Sequence, residues 1–241
     1  MPEYLFISDL HLSPERPGTT SLLLRFLRER AVHGSSLFIL GDLFDAWVGD
    51  DDRRPPIPEI LAAMKQLTDV GTRLFFIAGN RDFLVGDAFV KATGCHLLPD
   101  THLIELAGTQ ALLMHGDLLC SDDRDYQQLR GQLRSPAFIG EFLSKPLEQR
   151  IALATEYRKR SGEAVSLKAA DIVDANQSTV ENYLRDAQAL LLIHGHTHRP
   201  ANHRFRLDGA DAVRVVLPEW QAYCGGYLSV CGNSISRHVF V

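Results

Sequence analysis

Five short blocks of this chain carry residue types that ligate metals: Asp9-Leu10-His11, Gly41-Asp42, Gly79-Asn80-Arg81-Asp82, His115-Gly116-Asp117 and His194-Gly195-His196-Thr197-His198. A single Asp-x-His or Gly-Asp is common by chance. Five in succession, each following an apolar run, are not. Burying such a set without a cation would leave several polar groups unpaired, at a cost of about 2–7 kcal/mol each. In Asp9-x-His11 and His196-x-His198 the two-residue offset puts both side chains on one side of an extended segment. The neighbouring glycines let the backbone turn sharply and approach a ligand closely. Carboxylate, amide oxygen and imidazole without thiolate favour Mn²⁺ or Fe and tolerate Zn²⁺. Two such ions about 3.5–4 Å apart lower the pKa of water and clamp a phosphoryl oxygen for in-line displacement.

The elements that must position these blocks follow from hydrophobic periodicity. Leu5-Phe6-Ile7, Leu37-Phe38-Ile39-Leu40, Leu74-Phe75-Phe76-Ile77, Ala111-Leu112-Leu113-Met114 and Leu190-Leu191-Leu192-Ile193 read as buried strands. The C-terminal ends of strands are where open α/β sheets hold ligands. Helical spacing over 20–30 and 57–70 gives a strand–helix alternation and a parallel sheet core. Thr19 or Thr20 is the expected N-cap of the first helix and Gly71 the stop of the second. A hairpin turn is expected at Gly108-Thr109, and the tail from Ala212 alternates in antiparallel style with turns at Gly225-Gly226 and Gly232-Asn233. The expectation is two sheets packed face to face with helices outside.

Residues 122–177 interrupt the strand rhythm. Pro136 and Pro146 divide this stretch into separate helices. Residues 124–160 hold eight Lys and Arg against four Asp and Glu, a local +4 in a chain of net charge −5. Phe138, Ile139, Phe142, Leu143, Leu147, Ile151 and Leu153 are interleaved with those cations. The insertion therefore reads either as a lid or membrane-surface element, or as an ordinary helical subdomain with a solvated face.

In their order, D-x-H, GD, GN-x-D, HGD and GHTH, the blocks resemble the calcineurin-like metallophosphoesterases, and the resemblance runs from Asp9 to His198. It implies a four-layer αββα sandwich with a helical lid, the core formed by 1–121 and 178–241 and the lid by 122–177. It also implies two divalent ions, most suitably Mn²⁺. One would be held by Asp9, His11, Asp42 and His198, the other by Asp42, Asn80, His115 and His196, with Asp42 as the bridge and His194 structural.

One position departs from the common family pattern. Most members have Gly-Asn-His, where the His protonates a poor leaving group; here the residue is Arg81. A guanidinium stays charged and cannot be that acid, but it grips phosphate oxygens in two-point geometry. A phosphate leaving from a pyrophosphate needs no proton. The segments FISDLHL, ILGDLFDAWVGDDD, GNRDFLVG and LIHGHTHRPA are similar to the branch of the family that splits the pyrophosphate of a lipid-linked UDP-sugar, UDP-2,3-diacylglucosamine, in lipid A synthesis. By that resemblance Asn80 and Arg81 are catalytic, and Asn80, Arg81, Asp123, Ser161, Val165, Lys168 and His196 touch substrate. Positions 161, 165 and 168 share one helix face, and Val165 replaces a residue that is polar in some relatives. Leu217-Pro218-Glu219-Trp220 stands where relatives have Gly-Asp-Trp. Two other readings stay open: a phosphodiesterase or pyrophosphatase acting on a soluble nucleotide, and a protein-binding scaffold that keeps the fold.

The acidic balance excludes general nucleic-acid affinity. No run approaches the roughly 18 apolar residues of a membrane span, and a strand at Tyr4–Ile7 leaves no room for a secretory signal. The four cysteines fit reduced cytosolic thiols better than a disulfide framework. With a lipid substrate, these features place the chain in the cytoplasm, peripheral to the inner face of the cytoplasmic membrane, with no obligate protein partner.

Overall fold

The computed structural model describes residues 2–166, 172 and 174–241, with side chains throughout that range except 160–166. The apolar runs form strands whose residues alternate between two cores, as the period of two dictates. On β1 (Glu3–Ile7), β2 (Ser36–Leu40) and β3 (Arg73–Ile77), Leu5, Ile7, Leu37, Ile39, Leu74 and Phe76 face an outer cluster. That cluster is completed by α1 (Pro17–Glu29), α2 (Ile57–Asp69) and α3 (Asp87–Thr93). Phe6, Phe38, Leu40 and Ile77 point the other way. They meet Ala111 and Leu113 of β6 (Thr109–Met114), Leu191 and Ile193 of β7 (Leu191–His194) and Val215 of β9 (Ala210–Val216). Leu112, Met114 and Leu192 then face α7 (Gln177–Asp186) through Val180 and Leu184. The layers are thus helix, sheet, sheet, helix.

The first sheet runs β11-β10-β1-β2-β3-β4, with β4 His96–Leu98, β10 Gly225–Cys231 and β11 Ser234–Phe240. Its β1 to β4 pairs are parallel, and β10 and β11 add antiparallel. The second sheet runs β5-β6-β7-β9-β8, with β5 Thr101–Leu106 and β8 Asn202–Leu207. Parallel pairing of β1, β2 and β3 in one sheet and of β6 and β7 in the other brings the five ligand blocks to one end of the sandwich. The β5–β6 hairpin turns at Ala107 and Gly108, both at positive φ, as a two-residue turn of the type that matches strand twist requires.

Three local expectations are corrected. The β5–β6 turn lies at Ala107-Gly108, one residue before Gly108-Thr109, because Thr109 already pairs with Leu106 in the ladder. Helix α1 starts at Pro17, not Thr20. Its N-cap is Arg16 without a side-chain bond, and proline at the first position supplies a fixed helical φ. Gly225-Gly226 is not a turn but the start of β10. A Cβ at Gly225 would meet the Trp220 ring and one at Gly226 the Pro218 ring, so the pair makes room for the loop before it. The turns fall instead at Ala222-Tyr223, closed by Gln221 and Cys224, and at Gly232-Asn233 as expected.

The insertion forms α4 (Arg124–Leu133), α5 (Pro136–Leu143) and α6 (Leu147–Ser166). Pro136 begins α5, with Ser135 accepting the Phe138 N–H at 3.3 Å, and Pro146 precedes α6. Four of the insertion's cations are turned to the core. Arg130 binds Asp117 at 2.6 Å and Asp100 at 2.7 Å; Arg134 binds Asp100 and the Gly79 carbonyl, both at 2.8 Å. Arg150 is buried against the Val48 carbonyl and Asp51, and Arg158 pairs with Asp45. These cations fasten α4 and α6 to the core.

Candidate functional site

At the strand ends the backbone turns in conformations that L-residues rarely adopt. Among the described residues, eight non-glycine residues have positive φ. Five are Asp9 (56°), His11 (50°), Asp42 (53°), His196 (65°) and His198 (52°). Left-handed and strained conformations of this kind cost about 1–3 kcal/mol each and cluster where function requires them. The glycines beside them are needed for room: a Cβ at Gly79 would strike Asp42 Oδ1, and one at Gly195 would strike Asp9 Oδ2.

Two groups of donor atoms result. In the first, His11 Nε2 and His198 Nε2 lie 3.2 Å apart, and His198 Nε2 is 3.3 Å from Asp9 Oδ1. In the second, Asn80 Oδ1 lies 2.9 Å from His115 Nε2 and 3.0 Å from His196 Nδ1, and those two nitrogens are 3.2 Å apart. His115 donates Nδ1–H to the Leu40 carbonyl at 2.9 Å, which turns Nε2 toward the group. Asp42 stands between the two: Oδ1 is 3.7 Å from His115 Nε2 and Oδ2 3.9 Å from His11 Nδ1. Asp9, Asp42 and His115 also converge as a buried trio. All seven residues expected as ligands are therefore within one cluster.

The surroundings orient these ligands. Asp9 Oδ2 accepts from the Ser8 hydroxyl at 2.6 Å and the His196 N–H at 2.9 Å. Asp42 Oδ1 accepts the Arg81 N–H at 2.9 Å. Buried Asp82 accepts from the N–H groups of Gly79 (2.7 Å) and Leu43 (2.8 Å), more weakly from Asp42 and Phe44, and so locks two ligand loops together. His194 is fully buried and turned away from both groups. Its Nδ1 faces the Gly195 carbonyl at 2.8 Å and its Nε2 the Arg214 guanidinium at 3.3 Å.

The electrostatics favour bound positive charge. Burial pushes Asp42 up to about 7 against the opposing pull of the His115 and Arg81 charges, so a further cation beside it would stabilise its ionised form. Burial also works to raise Asp9, but the His198 hydrogen bond and the charges of His115 and His198 hold it well below the carboxylate range. Burial depresses His11 to about 3 and His196 to about 4, leaving neutral imidazoles with lone pairs to offer. Asn80 Oδ1, an acceptor, lies within hydrogen-bond distance of two imidazole nitrogens. Hard and borderline donors converging in this way fit divalent metal ions.

Beside the second group opens a cleft, apolar over most of its wall. Asn80 and Arg81 line its mouth, Trp47, Phe83 and Leu84 come from the core, and Leu129, Leu133, Phe138, Phe142, Ala154 and Tyr157 come from α4 to α6. Phe138 and Phe142 stack at 5.8 Å. Leu143 is 40% exposed and does not line it. Asp123 is nearly buried and caps α4, accepting the Tyr126 N–H at 3.1 Å. The side chains of Ser161 and Val165, and all of Lys168, lie outside the described residues.

Sequence reasoning missed Tyr126, which donates its hydroxyl to Asp117 at 2.8 Å beside His196, and Arg130 and Arg134 on the same helix face. Their i, i+4, i+8 spacing was the available signal. It also gave no role to the acids of the stretch after Asp42. Asp50 takes the Trp47 indole N–H and caps α3 through the N–H groups of Gly86, Ala88 and Phe89, while Asp45 and Asp51 hold α6.

Residues 3–200 match the family model described as calcineurin-like phosphoesterase. The chain is 44% identical over 231 residues to a Serratia proteamaculans (strain 568) protein named UDP-2,3-diacylglucosamine hydrolase, covering 96% of each. It is 47% identical over 240 residues to a protein of that name from Stenotrophomonas maltophilia (strain R551-3), covering 95% of each. A third of that name, from Pseudomonas paraeruginosa (strain DSM 24068 / PA7), is 48% identical over 216 residues and 90% of each chain. A family model spanning most of the sequence and five ligand blocks gathered at one end of a two-sheet sandwich lead to one conclusion: the chain belongs to the calcineurin-like phosphoesterases.

Proposed function

We propose that this chain is a metal-dependent hydrolase that cleaves the pyrophosphate bond of UDP-2,3-diacylglucosamine, releasing UMP and 2,3-diacylglucosamine 1-phosphate in lipid A synthesis. One observation carries the reading: a largely apolar cleft, walled by Leu129, Leu133, Phe138 and Phe142, opens at Asn80 and Arg81, directly beside the donor groups. A soluble nucleotide has no use for such a wall. The relatives' shared name supports the same substrate.

Asp9, His11, Asp42 and His198 would hold one ion, and Asp42, Asn80, His115 and His196 the other. The absence of thiolate among these donors favours Mn²⁺. When bound, the pair supplies Lewis-acid polarisation of phosphoryl oxygens and activation of the attacking water. The chain's own residues do the rest. Arg81 holds the pyrophosphate and offsets charge accumulating on the departing phosphate, which leaves without needing a proton. Asn80 and His196 flank the same oxygens. Lining by Phe138, Phe142 and Leu133 excludes water from the acyl arm.

In this reading 1–121 and 178–241 form the core and 122–177 the lid. Asp123, Ser161, Val165 and Lys168 contact the substrate from the lid side. Among the described residues no helix is long and apolar enough to cross a membrane. The chain would meet its lipid from the cytoplasmic side, as a peripheral protein at the inner membrane.

The test compares UMP release from UDP-2,3-diacylglucosamine and from UDP-glucosamine by the Mn²⁺-loaded protein. The reading expects strong preference for the diacylated compound. Equal turnover of both, or none of the first, overturns it.

A further inference from the structure

The departure at Leu217-Pro218-Glu219-Trp220 acquires a role from its position. Glu219 Oε2 lies 2.8 Å from His198 Nδ1, and its other oxygen accepts from the Gln221 amide at 3.3 Å. The opposite nitrogen of the same ring, His198 Nε2, is the one that faces Asp9 Oδ1 and His11 Nε2. The carboxylate therefore receives the proton of Nδ1 and leaves the Nε2 lone pair for the cluster. An imidazole whose far nitrogen is held by a carboxylate is fixed in tautomer and ring orientation, and its basicity toward a metal rises.

The loop is built to keep Glu219 there. Leu217 N–H donates to the His194 carbonyl at 2.7 Å, and Trp220 N–H donates to the Asp9 carbonyl at 3.1 Å, so the backbone is tied to ligand-bearing segments on both sides of Glu219. Trp220 is fully buried, its indole N–H on the Gly226 carbonyl at 2.9 Å and its own carbonyl on Arg16 at 2.7 Å. The room that Gly225 and Gly226 leave is filled by the rings of Trp220 and Pro218. His198 itself sits at a φ of 52°, a backbone state that does not hold its ring by itself, and its side chain is 36% exposed. The other imidazoles of the cluster are more deeply enclosed: the side chain of His115 is 2% exposed and that of His11 12%.

We propose that Glu219 is a positioning residue that holds the His198 imidazole toward the metal formed with Asp9, His11 and Asp42, and so sets the affinity of that site. The inference rests on the metal centre proposed above but not on the substrate.

The test is titration of metal-free protein with Mn²⁺ alone, counting free ion by the six-line resonance of aquated Mn²⁺, for the parent chain and Glu219→Ala, Glu219→Gln and Glu219→Asp. In Glu219→Ala one class of sites should weaken by about 10–100-fold, the range for loss of an outer partner to a ligating His. The other class should be unchanged. Glu219→Gln, which keeps an acceptor without the charge, should fall between. Melting of each variant without metal checks that the fold is intact, as expected for a half-exposed side chain. Parental affinity at both sites in a folded Glu219→Ala overturns the role of Glu219. Weakening of both classes equally overturns it too, because the loss would not be specific to the His198 site. A parent chain that binds no Mn²⁺ overturns the metal centre itself.

Discussion

Removing the Phe138 ring should separate acyl recognition from chemistry. Phe138 is part-buried on α5, stacks on Phe142 and lines the cleft. A fully buried aromatic or aliphatic side chain contributes about 1.5–3 kcal/mol. Because Phe138 already covers part of its surface against the core, the increment left for an acyl chain is taken at the lower end, about 1.5 kcal/mol, or about tenfold in kcat/KM. Phe142 is the poorer probe. It is 5% exposed, and truncating it would remove about 3–5 kcal/mol of packing before any substrate arrives. Leu143, next in sequence but outside the cleft, is the internal control; Leu143→Ala should stay within about 0.5 kcal/mol, roughly twofold. The assay is UMP release at subsaturating UDP-2,3-diacylglucosamine, repeated with UDP-glucosamine. Phe138→Ala should lose about tenfold on the first and nothing on the second. Equal losses on both substrates, or a Leu143→Ala loss matching that of Phe138→Ala, would refute acyl contact and mark the ring as fold core.

Asp42→Ala should abolish activity and lower metal content per chain, since Asp42 stands between both donor groups, whereas His194→Ala should keep its metal; elemental analysis of dialysed protein decides. Arg81→Ala should lose about 10²–10³ in kcat with metal occupancy intact, and Arg81→Lys should recover only part, because Lys keeps the charge without the planar fork; a parental rate in Arg81→Ala sinks the assignment. His194 is held at about 3 by burial, then by the Arg214 charge. A base depressed in the folded state contributes stability above its unfolded pKa of about 6.5 that is lost as pH falls toward the folded value. The advantage of the metal-free parent over His194→Asn in denaturant melts should therefore shrink from pH 7 to pH 4, and a gap independent of pH refutes the neutral buried imidazole. Thiol labelling of the native chain should reach exposed Cys224 and Cys231 but spare buried Cys95 and Cys120; burial raises both buried thiols, that of Cys120 to about 12, and rapid labelling of all four contradicts the packing.

The donor blocks were legible because they obey local rules: short apolar runs mark buried strands, and each of the five is followed by Asp, Asn or His. Which residue in each block faces the cluster, His196 rather than His194 for example, was implied only by the family resemblance. The positive φ at five of the ligands was not legible, because no sequence rule forces Asp or His into that region; tertiary bonds such as those of Asp82 to Leu43 and Gly79 hold it there. The glycine pair at 225–226 misled for a related reason. Glycine signals either a turn or a close approach, and only the Trp220 and Pro218 rings show which.

Charge was the least legible property, and the insertion of α4 to α6 shows why. A count over 124–160 finds an excess of +4 and invites a basic surface facing anionic lipid. Yet the partners lie far away in sequence: Asp100 is 34 residues from Arg134, and Asp51 is 99 from Arg150. A window long enough to register the excess is too short to contain the carboxylates that cancel it. The pairing is also where α4 meets the donor groups. Arg134 binds the carbonyl of Gly79, the residue before Asn80, and Arg130 and Tyr126 bind Asp117, two residues after His115. Buried pairs of this kind lose more when one partner is removed than the intact pair contributes. Arg130 and Arg134, which composition assigns to the surface, are therefore better understood as the seam joining α4 to the loops that carry Asn80 and His115, while Arg150 and Arg158 tie α6 to the stretch after Asp42.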